Sequence, residues 1–413
     1  MPEVVRTKYC IIGGGVAGVT AAERIRELDK EGSICIVGSE SELLYSRVLL
    51  PDYVSGKITR DKCILRTQAS FDELRIQLRL GIEISSIRLS HHTITTNAGE
   101  VIVYEQLLIA TGGRPRGWTV PGADVLPVMR LQTIADADTM RTFALDHPGA
   151  HVAVVGGGFI SMEAMEALVL TGIKTSLLVR ESRMFEAMIP PGAHALLARV
   201  LREEGVQLET TFAVQSITVE EGVPVVLSED GRHVPVDALV VGVGIERNLS
   251  LAVTSAIPTN RGIVVSEQLA STVPNVFAAG DIAEYTDLTF SRPLLLGNWT
   301  SSVLMGRVAG ENMTGGSAIY QHIPLYAVEC FGVKIQLIGI PSTTEGIENI
   351  EQYDAENRTY LSLSLENGML IGAVTMNRTR DLGILTRWIK ERKHLADAAE
   401  QLRGGAKLTD MTL

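Results

Sequence analysis

A chain of 413 residues is too long for one hydrophobic core, and two or three domains are the natural expectation. With 46% hydrophobic but only 5% aromatic residues it reads as a globular α/β chain, which excludes a disordered one. A net charge of −11 argues against nucleic acid as the main partner, and no apolar run reaches the length of a membrane span.

The first predicted elements are an apolar strand ending at Tyr9-Cys10-Ile11-Ile12, a tight turn, and a helix from Val16 on. Gly13, Gly15 and Gly18 fall on the G-x-G-x-x-G spacing. The first glycine permits the turn, the second admits a pyrophosphate, and the third lets helix and strand pack closely. Val16 and Ala17 open the helix, whose free N–H groups and dipole favour a phosphate. Because the strand runs straight into the turn, it is not the apolar core of a signal peptide, and a cytoplasmic protein is expected. Ser33–Val37 reads as a second parallel strand. Glu40 follows at the distance where a carboxylate accepts hydrogen bonds from a ribose diol, with Glu42 as the alternative. Residues 44–51, Leu-Tyr-Ser-Arg-Val-Leu-Leu-Pro, are expected to be irregular. A hairpin turning at Asn97-Ala98-Gly99 precedes another apolar strand, which leads into Ala110-Thr111-Gly112-Gly113.

The pattern then repeats. His151–Val155 runs into Gly156-Gly157-Gly158-Phe159-Ile160-Ser161 and an alanine-rich helix bearing Glu163. Lys174–Val179 is the next strand and Arg180 follows it. Asp230-Gly231 turns a hairpin, and Leu239–Gly244 mirrors the earlier strand at 107–113. Duplication of a whole nucleotide-binding unit is a stronger signal than either glycine turn, and it implies two dinucleotides. Further on, a strand ends at Ala278-Ala279-Gly280-Asp281, on the sheet edge where ligands lie in open parallel sheets. Asn298-Trp299 opens a helix-like run to Gly310. From about residue 319 the chain changes to alternating strands, an Asn367-Gly368 turn and a helix near 381–395, the pattern of a small α+β domain. That helix sets Leu385, Trp388 and Ile389 on one face and turns Arg387, Lys390 and Lys393 outward.

The four cysteines, Cys10, Cys35, Cys63 and Cys330, form no C-x-x-C pair, and the eight histidines show no ligand spacing, so no metal is expected. Cys10 and Cys35 sit inside strand runs and read as inert core residues.

These elements in this order resemble the two-dinucleotide-binding-domain flavoproteins of the pyridine nucleotide-disulfide oxidoreductase superfamily, along essentially the whole chain. Tyr45-Ser46-Arg47-Val48-Leu49-Leu50 is similar to a segment in the flavin domain of assimilatory nitrite reductases and in NADH:rubredoxin reductases. The resemblance implies an α/β fold with two Rossmann-like domains and a small C-terminal α+β domain. It places an FAD domain at 1–115 and 245–318, an NAD(P) domain at 116–244 and the last domain at 319–413. FAD would meet Gly13, Gly15, Val16, Ala17, Gly18, Glu40, Arg47, Ala110, Thr111, Gly112, Gly280, Asp281 and Trp299. The nicotinamide nucleotide would meet Gly156, Gly158, Phe159, Ile160, Ser161, Arg180 and Gly244. Glu163 matches a glutamate that in relatives lies where nicotinamide meets flavin, and with Arg47 it is the candidate catalytic residue.

The departures from the family pattern also carry meaning. No cysteine pair lies on the first helix, and Val48 stands where coenzyme A disulfide and peroxide reductases carry a lone cysteine, so thiol chemistry at the flavin is not expected. The resemblance then implies an FAD-dependent NAD(P)H oxidoreductase that passes electrons to a small iron–sulfur protein of the rubredoxin or ferredoxin type. An NAD(P)H oxidase reducing O2 and a flavin-bearing subunit of a larger complex are the alternatives, and a homodimer is left open. Val179-Arg180 resembles the 2′-phosphate-binding segment of glutathione reductases, which implies a preference for NADPH with NADH still used.

Overall fold

The computed structural model describes residues 4–411, which form two compact units. The first takes in residues up to Val48, Arg60–Arg114 and Ile245–His322. The second takes in Leu49–Thr59, Pro115–Gly244 and the chain from Ile323 on. No helix among the described residues is long and apolar enough to cross a membrane.

The first unit is built on a sheet with parallel strands in the order Ile76–Leu80, Ile34–Gly38, Val4–Ile12 and Val101–Ile109. Val276–Ala278 lies parallel to the last of these, the turn at Asn97-Ala98-Gly99 joins that strand to the antiparallel Thr93–Thr96, and Ile84–Arg88 pairs antiparallel beyond it. Ile12 is in register with both Val37 and Ile109, and Ile109 with Ala278. The segments beginning at Gly13, Ser39, Ala110 and Ala279 therefore leave the sheet along one edge. The apolar strands are buried between helices, as parallel strands require. Helix Val16–Leu28 packs against helix Trp299–Met313 through two glycines. A Cβ at Gly306 would strike the Ala17 carbonyl, and one at Gly310 would come within 2.5 Å of the Ala21 carbonyl oxygen.

The second unit repeats the plan. Its parallel strands run Gln207–Glu209, Lys174–Leu178, His151–Val155, Ala238–Val241 and Val128–Met129. Val155 is in register with Leu178 and with Val241, so Gly156, Val179 and Gly242 leave along one edge, as in the first unit. The Asp230-Gly231 hairpin belongs to a three-stranded antiparallel sheet. The last part is a five-stranded antiparallel sheet carrying the helix Leu382–Lys390. Leu385, Trp388 and Ile389 are buried there, while Arg387 and Lys390 are exposed. Lys393 is not turned fully outward as expected; it is partly covered and its Nζ lies 3.5 Å from Glu391.

The stretch at 44–51 differs from the irregular segment expected. Arg47–Leu49 is a 3-10 turn and Leu50–Ser55 an α-helix, with Pro51 in its first turn. Proline lacks only an N–H that the first turn leaves unpaired anyway, so it opens this helix and does not end a loop.

Candidate functional site

Each unit carries a glycine turn at the outgoing edge of its sheet. In the first, Gly13 has φ +118°, and a Cβ there would strike the Ala110 carbonyl. A Cβ on Gly18 would strike the Gly13 carbonyl, whereas nothing lies within 4 Å of the Cβ position of Gly15. Gly13 and Gly18 thus close the turn and Gly15 leaves it open outward. Gly15 caps the Val16–Leu28 helix without a side-chain acceptor, so the amides of the first turn point out unpaired. This is a phosphate cradle made of backbone.

Glu40 lies just beyond the neighbouring strand, where the Tyr45 hydroxyl donates to it and Arg47 Nη2 donates at 2.6 Å. Two hydrogen bonds leave a carboxylate with further lone pairs for a diol. Glu42 is committed elsewhere, pairing with Arg60 at 2.9 Å. Thr111 accepts at its carbonyl from Asn248 Nδ2 at 2.9 Å, and its Oγ1 is buried without a hydrogen-bond partner. Gly112, at φ +57°, accepts from the Asn248 amide at 3.2 Å. Gly280, at φ +80°, brings Asp281 to the start of helix Trp299–Met313, where Ser302 Oγ donates to Asp281 Oδ1 at 3.2 Å. Burial raises the Asp281 carboxyl above its ordinary range, against the opposing pull of Ser302, Arg247 and Arg47. Asn298 caps that helix by accepting the Ser301 amide at 2.8 Å. Its own Nδ2 and Ser301 Oγ are buried with no partner. Thr111 Oγ1, Asn298 Nδ2 and Ser301 Oγ are three orphaned buried polar atoms of the kind a polar ligand would satisfy.

In the second unit Gly156 has φ +124°, and a Cβ there would strike the Gly242 carbonyl. Gly158 has nothing within 4 Å of its Cβ position and caps helix Phe159–Leu170 with no side chain. Ser161 replaces the third glycine and is fully buried, its Oγ donating to the Gly242 carbonyl at 3.1 Å. Gly244 follows in the left-handed region at φ +97°. Phe159 stacks on Tyr326 at 5.2 Å between ring centroids and tilts against Phe185 at 4.7 Å, while Ile160 is exposed.

Glu163 sits one turn into that helix. Burial first, then the charges of Glu166 and Asp52, push its carboxyl up to about 7. Arg180 is 78% exposed and its guanidinium is paired with Glu181, Nη2 lying 2.7 Å from the carboxylate.

All four cysteines are buried. Burial raises the thiols of Cys10 and Cys330 well above their usual range and that of Cys35 to about 11. The described residues contain no cluster of three or more His, Cys, Asp or Glu side chains able to hold a metal ion.

The expected site residues thus gather at two sheet edges: Gly13–Gly18, Glu40, Arg47, Ala110–Gly112, Gly280, Asp281 and Trp299 in the first unit, and Gly156–Ser161, Glu163, Arg180 and Gly244 in the second. Sequence reasoning missed Tyr45, Arg247, Asn248 and Ser302. Of these, Tyr45 opens the segment that carried the family resemblance and Ser302 stands one residue beyond the amide that Asn298 caps, while nothing local pointed to Arg247 or Asn248.

Comparison with known proteins agrees with this geometry. A model of the family described as pyridine nucleotide-disulphide oxidoreductase matches residues 7–306. The chain is 29% identical over 404 residues to the biphenyl dioxygenase system ferredoxin–NAD(+) reductase component of Paraburkholderia xenovorans, covering 97% of either chain. It is 26% identical to the nitrite reductase [NAD(P)H] of Bacillus subtilis, covering 96% of this chain and 48% of that one. Among solved structures, the putidaredoxin reductase–putidaredoxin complex matches at a TM-score of 0.90 and 24% identity, over 98% of this chain and 97% of that one.

Proposed function

Because the chain belongs to the pyridine nucleotide-disulphide oxidoreductase family, we propose that it is an FAD-dependent NAD(P)H oxidoreductase that delivers electrons to a small iron–sulfur protein. The observation that carries this reading is the paired glycine turns, one per unit, each ending on an uncapped helix. The names of the relatives supply the acceptor: ferredoxin, putidaredoxin and rhodocoxin reductases recur among them.

FAD suits the first unit. Gly13, Gly15, Val16, Ala17 and Gly18 would hold its pyrophosphate and Glu40 its ribose, with Thr111, Asn298 and Ser301 offering the polar atoms that now lack partners. Asp281, kept in place by Ser302, would accept hydrogen bonds from the same ligand. When bound, FAD supplies the redox chemistry, accepting a hydride from the nicotinamide nucleotide and releasing electrons singly. The protein's part is to bind, orient and exclude water.

The Gly156–Ser161 turn would hold the nucleotide's pyrophosphate. The NADPH preference expected from Arg180 finds no support in the structure, because Glu181 already occupies its donors and places a negative charge where a 2′-phosphate would come. Several relatives are named for NAD(+) or NADH. NADH is therefore the nucleotide proposed here. Buried, hard-to-ionise thiols support electron delivery without cysteine chemistry.

The test is a steady-state assay of the purified holoprotein with NADH, comparing reduction of an added ferredoxin with consumption of O2. Ferredoxin reduction well above the oxygen rate is expected. Oxygen consumption that an added ferredoxin does not displace would favour the oxidase reading instead.

A further inference from the structure

One side chain near the second glycine turn has no partner to hold its charge. Asp52, Glu163 and Glu166 come together in the second unit because the Leu50–Ser55 helix packs on the Phe159–Leu170 helix. Asp52 pairs with Lys57 at 3.5 Å. Burial raises the Glu166 carboxyl above its ordinary range, and the Phe331 amide, donating to Oε1 at 2.9 Å, opposes that shift. No hydrogen bond or salt bridge to Glu163 occurs among the described residues. The other charged or titratable groups packed around it do not help. The antiparallel strand Leu325–Cys330 offers Glu329 and a buried Cys330. In the sheet beneath, His151 and Lys174 stand at the opposite ends of their strands, and Ala238–Val241 is apolar. Asp52 thus has Lys57 and Glu166 has the Phe331 amide, while Glu163 faces two other carboxyl groups with neither.

Glu163 is five residues past Gly158, about 7–8 Å along the helix from where the nucleotide's pyrophosphate would sit. The nicotinamide ring carries a positive charge in NAD(+) and none in NADH. On the nucleotide site proposed above, we propose that Glu163 keeps its carboxyl proton when the reduced nucleotide is bound and releases it to solvent when the oxidised nucleotide takes its place. The O–H bond of the carboxyl breaks, the proton goes to water, and no electrons move in this step. Glu163 thereby reads the charge of the nucleotide and ties its exchange to pH.

The test compares NAD(+) with 1,4,5,6-tetrahydro-NAD, whose ring is uncharged and cannot give up a hydride, so flavin reduction does not interfere. Both are titrated into the holoprotein by calorimetry from pH 6 to 8.5, in buffers of different ionisation enthalpy so that released protons are counted. The affinity for NAD(+) relative to the tetrahydro form should rise about tenfold across this range. Proton release should accompany NAD(+) binding at pH 6 and not tetrahydro-NAD binding. Glu163→Gln should flatten the ratio, and Glu166→Gln, which removes a neighbouring charge, should move its midpoint to lower pH. A pH-independent ratio in the wild type, or an unchanged slope in folded Glu163→Gln protein, would overturn the inference while leaving the nucleotide site standing. Binding of neither nucleotide would overturn both.

Discussion

Arg180 and Glu181, adjacent in sequence, lie against each other at the end of their strand, with guanidinium Nη2 2.7 Å and Nε 3.2 Å from one carboxylate oxygen. A paired arginine has little left to offer a phosphate, and the carboxylate repels one. The protein should therefore use NADH in preference to NADPH, by tenfold or more in kcat/KM, which corresponds to about 1.4 kcal/mol. Glu181→Ala frees Arg180 and should narrow that gap mainly by lowering KM for NADPH. Arg180→Ala should leave NADH use nearly unchanged, since the side chain is exposed and its one ion pair is weak. Steady-state kinetics with both nucleotides checks each outcome; a wild type that favours NADPH would restore the reading of Arg180 as a phosphate-binding residue.

The glycine turn of the first unit allows a sharper test of its ligand. At Gly18 even one methyl group would collide with the Gly13 carbonyl, which cannot move without opening the turn. Gly15 has free space at the same atom and lies on the outward side. Gly18→Ala should destabilise the fold by roughly 1–3 kcal/mol and yield protein depleted of FAD. Gly15→Ala should keep the fold's stability and weaken only FAD binding, because its methyl would intrude on the ligand alone. Thermal melts of apoprotein, together with flavin released on denaturation, separate the two effects.

Much of this architecture was legible because it rests on local rules. Gly13, Gly15 and Gly18 after an apolar run state a strand, a turn and a helix in a dozen residues, and the recurrence at Gly156 states it again. Asp281 was legible as well, being tied to a strand end. Side chains delivered by distant segments were not. Arg247 reaches the Asp281 carbonyl at 3.2 Å and Asn248 braces Thr111 from 137 residues away in the chain, and no short spacing announces either. The segment at 44–51 was misread because Pro51 is ambiguous in sequence: it ends many loops but also opens helices. The Arg180–Glu181 pairing was legible only as two opposite charges, and which one prevails depends on rotamers that sequence does not state.

The cysteines permit a prediction about what the chemistry does without. All four thiols are buried, and burial holds those of Cys10, Cys35 and Cys330 above their usual range. Thiolates are the reactive form, so native holoprotein should resist iodoacetamide at pH 7.5. Intact-mass spectrometry should find little labelling before denaturation and four carboxamidomethyl groups after it, one for each free cysteine. Turnover with an iron–sulfur acceptor should be unchanged by the treatment. Rapid labelling of one thiol together with loss of turnover would show that a cysteine takes part.

The Leu382–Lys390 helix leads to the last prediction. Its apolar face is spent on the core, with Leu385, Trp388 and Ile389 buried. Arg380, Arg387, Lys390 and Arg392, on and around it, are exposed. None of these four takes part in a salt bridge among the described residues, although the chain as a whole carries a net charge of −11. The acids interleaved with them are paired with other residues: Asp381 with Arg378 at 2.6 Å and Glu391 with Lys393 at 3.5 Å. A local surplus of positive charge on an acidic protein would steer an acidic iron–sulfur partner to this face, which acts on association rate more than on affinity. Reversing charge in the Arg387→Glu, Lys390→Glu double variant should lower the second-order rate of acceptor reduction roughly tenfold at low salt. The rates of variant and wild type should converge near 0.5 M salt, where the screening length falls to a few ångströms. The thermal midpoint should stay put, since neither side chain is buried, and NADH-driven reduction of ferricyanide, a small acceptor that needs no docking face, should be unaffected. Equal salt dependence in wild type and variant would move the docking face elsewhere on the molecule.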